Sequence, residues 1–352
     1  MSQSPSHPVE PRSWFTPRRI SYLFMVAMLV MIGGLRMTTL LLTTLFSYFV
    51  LRQFSFGRSK ILSLVLFTLV GTVGAYGLFF FLKQAYVAFP GITETTIPAV
   101  VGFAEKQGIE LPFTDYNSLR VLALSEARER FANIGRYARD AGFVLVYLLI
   151  GIVVAVSIFL GARLSIEDDP LSRRDNLYAI TTREIATRFL TFYRSFATVM
   201  GAQILISLIN SLLTATFLYW AGFPYATVLV ACTFLFGLLP IIGNIFSNVL
   251  ITCVAFTLSP KMALIALVFL ISIHKLEYFL NSKIIGHRIK NPMWLTLLGL
   301  LVGEKLLGIP GMILAPVVLH YIKVEASQAR AEAEPDLSAN ADEDDSDVLL
   351  RP

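Results

Sequence analysis

The chain has 352 residues, of which 55% are hydrophobic and only 15% are charged, and its mean hydropathy is +0.68. Because a typical soluble domain carries roughly 25% charged residues, this composition excludes a water-soluble globular protein. No Lys, Arg, Asp or Glu occurs from Ser195 to Pro260, a tract of 66 residues. A spanning helix needs about 20 apolar residues, so this tract must enter or cross a bilayer more than once.

Charge is distributed unevenly along the chain. The formal net charge is +5, but residues 331–352 carry eight acidic residues and one base, so this tail is −7 and the rest is +12. Such a basic surplus is typical of cytoplasmic loops and of contact with anionic membrane lipid. No basic run is interleaved with aromatic residues, so we expect no nucleic-acid partner.

The N-terminal region is predicted to hold a leader and three spans. Residues 1–19 are rich in Pro and Arg and predict a disordered cytoplasmic leader. The N-terminal membrane spans occupy residues 20–82, where Ile20–Leu35 and Met37–Leu51 form a tight hairpin and Ile61–Leu82 is long enough for a full crossing.

The next part of the chain alternates polar and apolar stretches. Residues 83–140 predict an extracytoplasmic insertion, in which Ser118–Asp140 has the spacing of an amphipathic helix at a membrane surface or on a neighbouring subunit. Residues 141–194 predict a span, Ala141–Ala162, followed by a cytoplasmic interfacial helix in the latter half of Arg163–Arg194.

Residues 195–322 predict the transport core, because Pro and Gly interrupt two of its apolar segments. After the span Ser195–Trp220, the segment Thr227–Leu258 is broken at Leu239–Gly243, and Met293–Leu319 is broken at 308–311. The pieces are short for full crossings, which favours two re-entrant helical hairpins, although pairs of full spans would leave the side assignments unchanged. Residues 323–352 predict a disordered acidic cytoplasmic tail.

The fold class that follows is an all-α polytopic membrane protein with about seven or eight membrane segments. With the N-terminus inside, the basic clusters at 12–19, 52–60, 163–194 and 275–290 all fall on the cytoplasmic side. The sequence therefore predicts a multi-pass protein of the bacterial cytoplasmic membrane with both termini cytoplasmic.

Catalytic and metal-binding signatures are absent from the sequence. It contains no H-E-x-x-H, G-x-S-x-G or P-loop motif, and no Cys/His spacing suits a metal. The two cysteines, Cys232 and Cys253, lie in the uncharged tract and are interpreted as buried structural thiols. We expect no enzymatic activity, no cofactor and no metal.

Polar residues in and beside the broken segments are the candidate substrate or ion pathway. Asn244 and Asn248 lie four apart and face one way on a helix, either as glue between helices or as a substrate lining. Glu277 follows His274 on a polar stripe, where it pairs with a base, binds a proton or cation, or is solvated. An ionisable residue near a mid-membrane break, as Glu304 is, indicates function unless the break opens into water. The full set is Gln203, Asn210, Pro240, Gly243, Asn244, Asn248, His274, Glu277, Asn281, Glu304, Gly308 and Gly311.

An ordered set of motifs in the C-terminal half resembles the autoinducer-2 exporter (AI-2E) family of bacterial membrane proteins. The resemblance covers roughly residues 190–322, and the hydropathy before it agrees. Ser282 and Asn244 stand where family members often have proline. The motifs are Gly201-Ala202-Gln203, Gly222-Phe223-Pro224, Leu239-Pro240-Ile241-Ile242-Gly243, Leu276-Glu277, Lys283-Ile284-Ile285-Gly286-His287-Arg288, Asn291-Pro292, Leu301 to Met312 and Ala315-Pro316.

The resemblance implies a polytopic inner-membrane transporter that forms a homo-oligomer such as a pentamer. Its members are associated with export of autoinducer-2 or with sodium- or lithium-proton antiport. Our leading hypothesis is a secondary transporter that exports a small polar organic solute, with the two broken segments as its moving, substrate-binding part. The alternatives are a Na⁺(Li⁺)/H⁺ antiporter, which needs a titrating carboxylate, and a non-transporting membrane scaffold for envelope proteins.

Overall fold

A computed structural model describes most of the chain, and every regular element in the described residues is an α-helix. The described residues are 16–55, 59–108, 134–161, 176–239, 242–285 and 292–348. Within these ranges, the helical residues 134–140, 278, 281–285, 293 and 329–348 are described by their backbone alone.

The described residues form ten helices, five of which contain a stretch long and apolar enough to cross a membrane. These stretches lie in α1, α3, α4, α5 and α10 as numbered here, so the all-helical membrane class is confirmed, while the number of crossings and the re-entrant hairpins stay predictions. The helices are α1 Pro17–Gly34, α2 Thr38–Gln53, α3 Lys60–Lys106, α4 Ile134–Leu160, α5 Leu177–Trp220, α6 Ala226–Gly237, α7 Ile242–Leu258, α8 Pro260–Ile285, α9 Met293–Leu307 and α10 Ile309–Val348.

Helix ends are set by local hydrogen bonds that the sequence provides. Thr16, Ser59 and Asn176 each accept a bond from a backbone N–H three residues on, which caps the first turn of α1, α3 and α5. At the other end of α5, Gly222 adopts φ 68° and the Phe223 N–H donates to the Leu218 carbonyl. This Schellman motif satisfies carbonyls that the helix leaves open and turns the chain sharply into α6.

Two helices are longer than the sequence analysis predicts. Helix α3 continues past Leu82 to Lys106, although Pro90 and Pro98 lie inside it. Helix α5 joins the expected interfacial helix to the span that starts at Ser195, because no proline separates the two segments. At about 1.5 Å per residue these helices are roughly 70 Å and 66 Å long, so each extends well beyond a hydrocarbon core of about 30 Å.

The helices pack into two hydrophobic clusters that share α5. In the first cluster the end of α5 packs with α6, α7, α8 and the middle of α3 around Leu218, Leu229 and Ala266. In the second cluster the first half of α5 packs with α1, α2 and α10 around Phe196 and Val317. Helix α4 packs mainly on α2. Helix α5 is therefore the element that both halves of the core have in common.

The predicted disordered tail differs from the structure at its start. Helix α10 continues through residue 323 to Val348, and Glu325 is buried and bonded to Arg188 of α5. A buried charge pair therefore holds the first turn after residue 323 against the core, and the disordered tail stays a prediction.

Candidate substrate or ion site

A polar cavity lies between α5, α6, α7 and α8, next to the first break. It is narrow and partly open, with a volume of about 10 Å³ that is enough for about one water molecule. Five of the residues predicted for the pathway line it together, although they come from three separate helices. Its lining residues are Asn210, Thr214, Thr233, Asn244, Ser247, Asn248, Leu270, Ile273, His274 and Glu277.

The centre of the cavity is a hydrogen-bonded pair formed by Asn244 of α7 and Glu277 of α8. The Asn244 Nδ2 donates to both carboxylate oxygens of Glu277, at 2.7 Å and 2.6 Å. The two residues are 7% and 8% exposed. His274 Nδ1 lies 3.5 Å from the Glu277 Oε2, and its side chain is 55% exposed. The carboxylate is therefore held by a neutral amide inside the cavity, with an imidazole on its more open side.

The cavity is remote from one end of the helices that form it. Asn210, Asn244 and Glu277 stand 10, 14 and 17 residues from the ends of α5, α7 and α8 at Trp220, Leu258 and Pro260. At about 1.5 Å per residue these distances are roughly 15, 21 and 26 Å. A hydrocarbon core is about 30 Å thick, so Glu277 lies toward the opposite end of the helices from Pro260.

Asn210 presents an unsatisfied acceptor in the cavity lining. Its side chain is 3% exposed, and its Oδ1 has no hydrogen-bond partner among the described residues. A buried amide oxygen without a partner is costly, because the lost hydration is not replaced. A ligand with an N–H or O–H group would satisfy it.

Side chains of α5 donate hydrogen bonds to backbone carbonyls on the α6 side of the first break. At the end of α6 the Gln203 Nε2 donates to the Gly237 carbonyl at 2.6 Å, and the Ser207 hydroxyl donates to the Phe234 carbonyl at 2.7 Å. These carbonyls lie in the last turn of α6, where intrahelical donors run out. Gln203 therefore holds the wall of the cavity and does not line it. At Gly243 a Cβ atom would collide with the Phe236 carbonyl, so only glycine fits the closed break.

The second break does not contribute to the cavity. Glu304 and Lys305 form an ion pair at 3.8 Å, and their side chains are 47% and 85% exposed. Gly308 adopts φ 65° where the chain turns from α9 to α10, and a Cβ at Gly311 would collide with the Gly303 carbonyl. Glu304, Gly308 and Gly311 do not line the cavity, and their pathway role stays a prediction.

Two predicted pathway positions cannot be placed. Pro240 and the side chain of Asn281 lie outside the described residues.

A metal centre is not indicated, because no group of three or more His, Cys, Asp or Glu side chains comes together in the described part of the chain.

The sequence analysis missed a buried ionic cluster between α1, α5 and α10. Arg188 bonds to Glu325 and, at 2.8 Å, to Glu184, while the Tyr22 hydroxyl donates to the Glu325 Oε2 at 2.8 Å. The Arg188 guanidinium also lies 4.6 Å from the centre of the Tyr22 ring. The only sequence signals for this cluster are single charges on otherwise apolar helix faces.

Comparison with known proteins identifies relatives of this chain. The sequence model of the family described as AI-2E family transporter matches residues 19–330. The chain is also 28% identical over 203 residues to the "Putative transport protein YdbI" of Bacillus subtilis (strain 168). That alignment covers 54% of this chain and 58% of the relative's length.

Proposed function

The chain belongs to the AI-2E transporter family, as the motifs of its C-terminal half predict, and from this premise we propose that it exports a small polar organic solute. The solute would be similar to autoinducer-2 in size and polarity, and transport would be secondary, driven by an ion gradient. The further proposals are a bacterial cytoplasmic membrane location, both termini on the cytoplasmic side, contact with membrane lipid, and a homo-oligomer.

The observation that supports this proposal best is the cavity around Asn244 and Glu277. An ionisable side chain buried among apolar membrane helices is costly, and such residues typically mark substrate, ion or proton pathways. The cavity as it stands has a volume of about 10 Å³, room for about one water molecule, so a solute can bind there only when the site opens.

The cavity is next to a broken helix, which is a typical arrangement in secondary transporters. Interrupted helices place open backbone groups at mid-membrane depth, where they line a binding site. Here the break between α6 and α7 positions Asn244 one residue after Gly243, so a shift of this hairpin changes the cavity directly. We propose that this hairpin moves during transport and that Glu277 couples transport to a proton or cation.

A second candidate function is Na⁺(Li⁺)/H⁺ antiport, which Glu277 itself favours. A carboxylate can exchange a proton for an alkali cation, and the Asn210 Oδ1 and the cavity hydroxyls are oxygen ligands of the kind that such cations prefer. In this case the cation would be the substrate rather than the coupling ion.

One pair of variants in proteoliposomes tests both functions. Glu277→Gln removes the ionisable group with little change in size, and Glu304→Gln makes the same change at an exposed site that does not line the cavity. We expect Glu277→Gln to abolish coupled flux and Glu304→Gln to retain it.

The two functions differ in what drives proton movement. Under antiport, adding external Na⁺ or Li⁺ to wild-type vesicles moves protons without any organic solute. Under solute export, proton flux requires the solute found by comparing export from cells with and without the protein. Unchanged flux in Glu277→Gln would remove this carboxylate from the coupling role.

A further inference from the structure

Glu277 already has a hydrogen-bond donor in this structure, and the donor comes from the protein itself. One nitrogen, the Asn244 Nδ2, lies within 2.7 Å of both carboxylate oxygens. An ionised carboxylate only accepts hydrogen bonds, so any group that binds it closely must be an N–H or O–H donor or a cation. The amide of Asn244 occupies the position that a donor group of a bound solute would take.

The charges around the cavity determine which solutes can enter. None of its described lining residues is Lys or Arg, and three of its walls come from the charge-free tract Ser195–Pro260. The neighbouring His274 is more than half exposed on its side chain. An anion would therefore meet the negative charge of Glu277 without a fixed buried cation, and charge repulsion is strong where water is excluded.

We propose that Asn244 is an internal competitor of the solute for Glu277, and that the solute is neutral or cationic with a compact N–H or O–H donor. This inference rests on the proposed function, because it takes the cavity as the solute's binding site. When the solute binds Glu277, the Asn244 amide must leave. Asn244 stands in the first turn of α7, directly after Gly243, so its release frees the start of α7 from α8.

The unpaired acceptor of Asn210 supports the same ligand class. A solute that displaces Asn244 from Glu277 with one donor can satisfy the Asn210 Oδ1 with a second donor. An anion without N–H or O–H groups offers only hydrogen-bond acceptors, so it can bond neither to the Glu277 carboxylate nor to the Asn210 Oδ1.

The proposal predicts an effect opposite in sign to that of an ordinary lining residue. Truncation of Asn244 should expose Glu277 and increase its availability. We would measure this by labelling the full chain in proteoliposomes with N,N′-diisopropylcarbodiimide at one fixed pH and quantifying modified Glu277 by mass spectrometry. Since a hydrogen bond to a charged group contributes about 1.5–3 kcal/mol, labelling in Asn244→Ala should rise roughly tenfold or more.

Glu304 of the same Asn244→Ala protein is the internal control. It is an exposed carboxylate that does not line the cavity, so its labelling should stay close to the wild-type rate. If Asn244→Ala does not fold, Asn244→Ser keeps a shorter donor and should give an intermediate rate.

Acetamide and nitrate then test the ligand class, because both are small and planar but differ in charge and donors, and neither has a carboxylate that would consume the carbodiimide. Acetamide is the side chain of Asn without its backbone, so it should restore protection of Glu277 in Asn244→Ala, whereas nitrate should not. Wild-type labelling in a folded Asn244→Ala, or equal protection by nitrate, would overturn the proposal. The assay needs no transport, so a protein without flux that shows this labelling pattern would refute the proposed function and leave the internal competitor standing.

Discussion

The two Pro/Gly breaks look alike in the sequence but are closed in different ways. At the first break, Gln203 and Ser207 of α5 bond to carbonyls of α6, and a polar cavity lies beside it. At the second break, the backbones at Gly303 and Gly311 lie in direct contact, and the ionisable pair faces outward. This difference indicates that a break acquires a polar cavity only where a neighbouring helix supplies polar side chains.

The largest expected effect concerns the buried ion pair between Arg188 of α5 and Glu325 of α10. Arg188→Met leaves Glu325 buried without its cation, which should lower the free energy of unfolding by about 3–5 kcal/mol. Replacing both residues with Met should recover most of this loss, because no uncompensated charge remains. Denaturant unfolding in detergent micelles would measure both values. A single variant as stable as the wild type would show that charge does not hold α10 in place.

The next effect concerns the glycine contact of the second break. Gly311→Ala places a Cβ against the Gly303 carbonyl and the Leu307 side chain, and overpacking of this kind should cost about 3 kcal/mol. Gly299→Ala is a milder control, because its nearest neighbour is the flexible end of Leu319 at 3.0 Å. Melting temperatures of the purified variants would rank them. Equal stability of the two would contradict the close backbone contact.

A smaller effect is expected at the first break. Gln203→Leu removes the donor to the buried Gly237 carbonyl, which should cost about 2 kcal/mol because that acceptor is left unsatisfied. Gln203→Glu would also remove the donor and should be at least as costly. Denaturant unfolding of both variants, together with solute flux per folded protein, would show whether closure of the break also serves transport. Wild-type stability in Gln203→Leu would mean that the break needs no support from α5.

The smallest effect is expected for the exposed pair at the second break. A double-mutant cycle with Glu304→Ala and Lys305→Ala should give a coupling energy below about 1 kcal/mol, because both side chains are well exposed. A larger coupling would indicate that this turn is buried by another copy of the chain or by another protein. Repeating the cycle at high salt would separate a screened surface pair from a buried one.

The helical class, both breaks and half of the cavity residues could be predicted from the sequence. Hydropathy locates apolar helices, and the Asn244 and Asn248 spacing predicts a shared helix face that the structure places on the cavity. The contact of that face with Glu277 could not be predicted, because 33 positions separate Asn244 from Glu277 and only packing brings them together.

Two features lie beyond what local sequence pattern can predict. Glu304 stays a predicted pathway residue, but its side chain is 47% exposed and does not line the cavity, because orientation around the helix axis decides exposure and no local rule fixes it. Arg188 and Glu325 are 137 positions apart, so neither charge reveals its partner. The sequence places both at a membrane surface or in a tail, where charge is normally solvated.

Helix α5 is continuous, so the residues along it provide reference positions at known distances from one another. Arg188 and Asn210 are 22 residues apart on one helix, which sets their axial separation at about 33 Å. Helix α10 bonds to α5 at Arg188, and the hairpin of α6 and α7 bonds to α5 close to Asn210. Distances from labels on either hairpin to fixed positions on α5 can therefore be measured, and a distance that changes under transport conditions would show which hairpin moves.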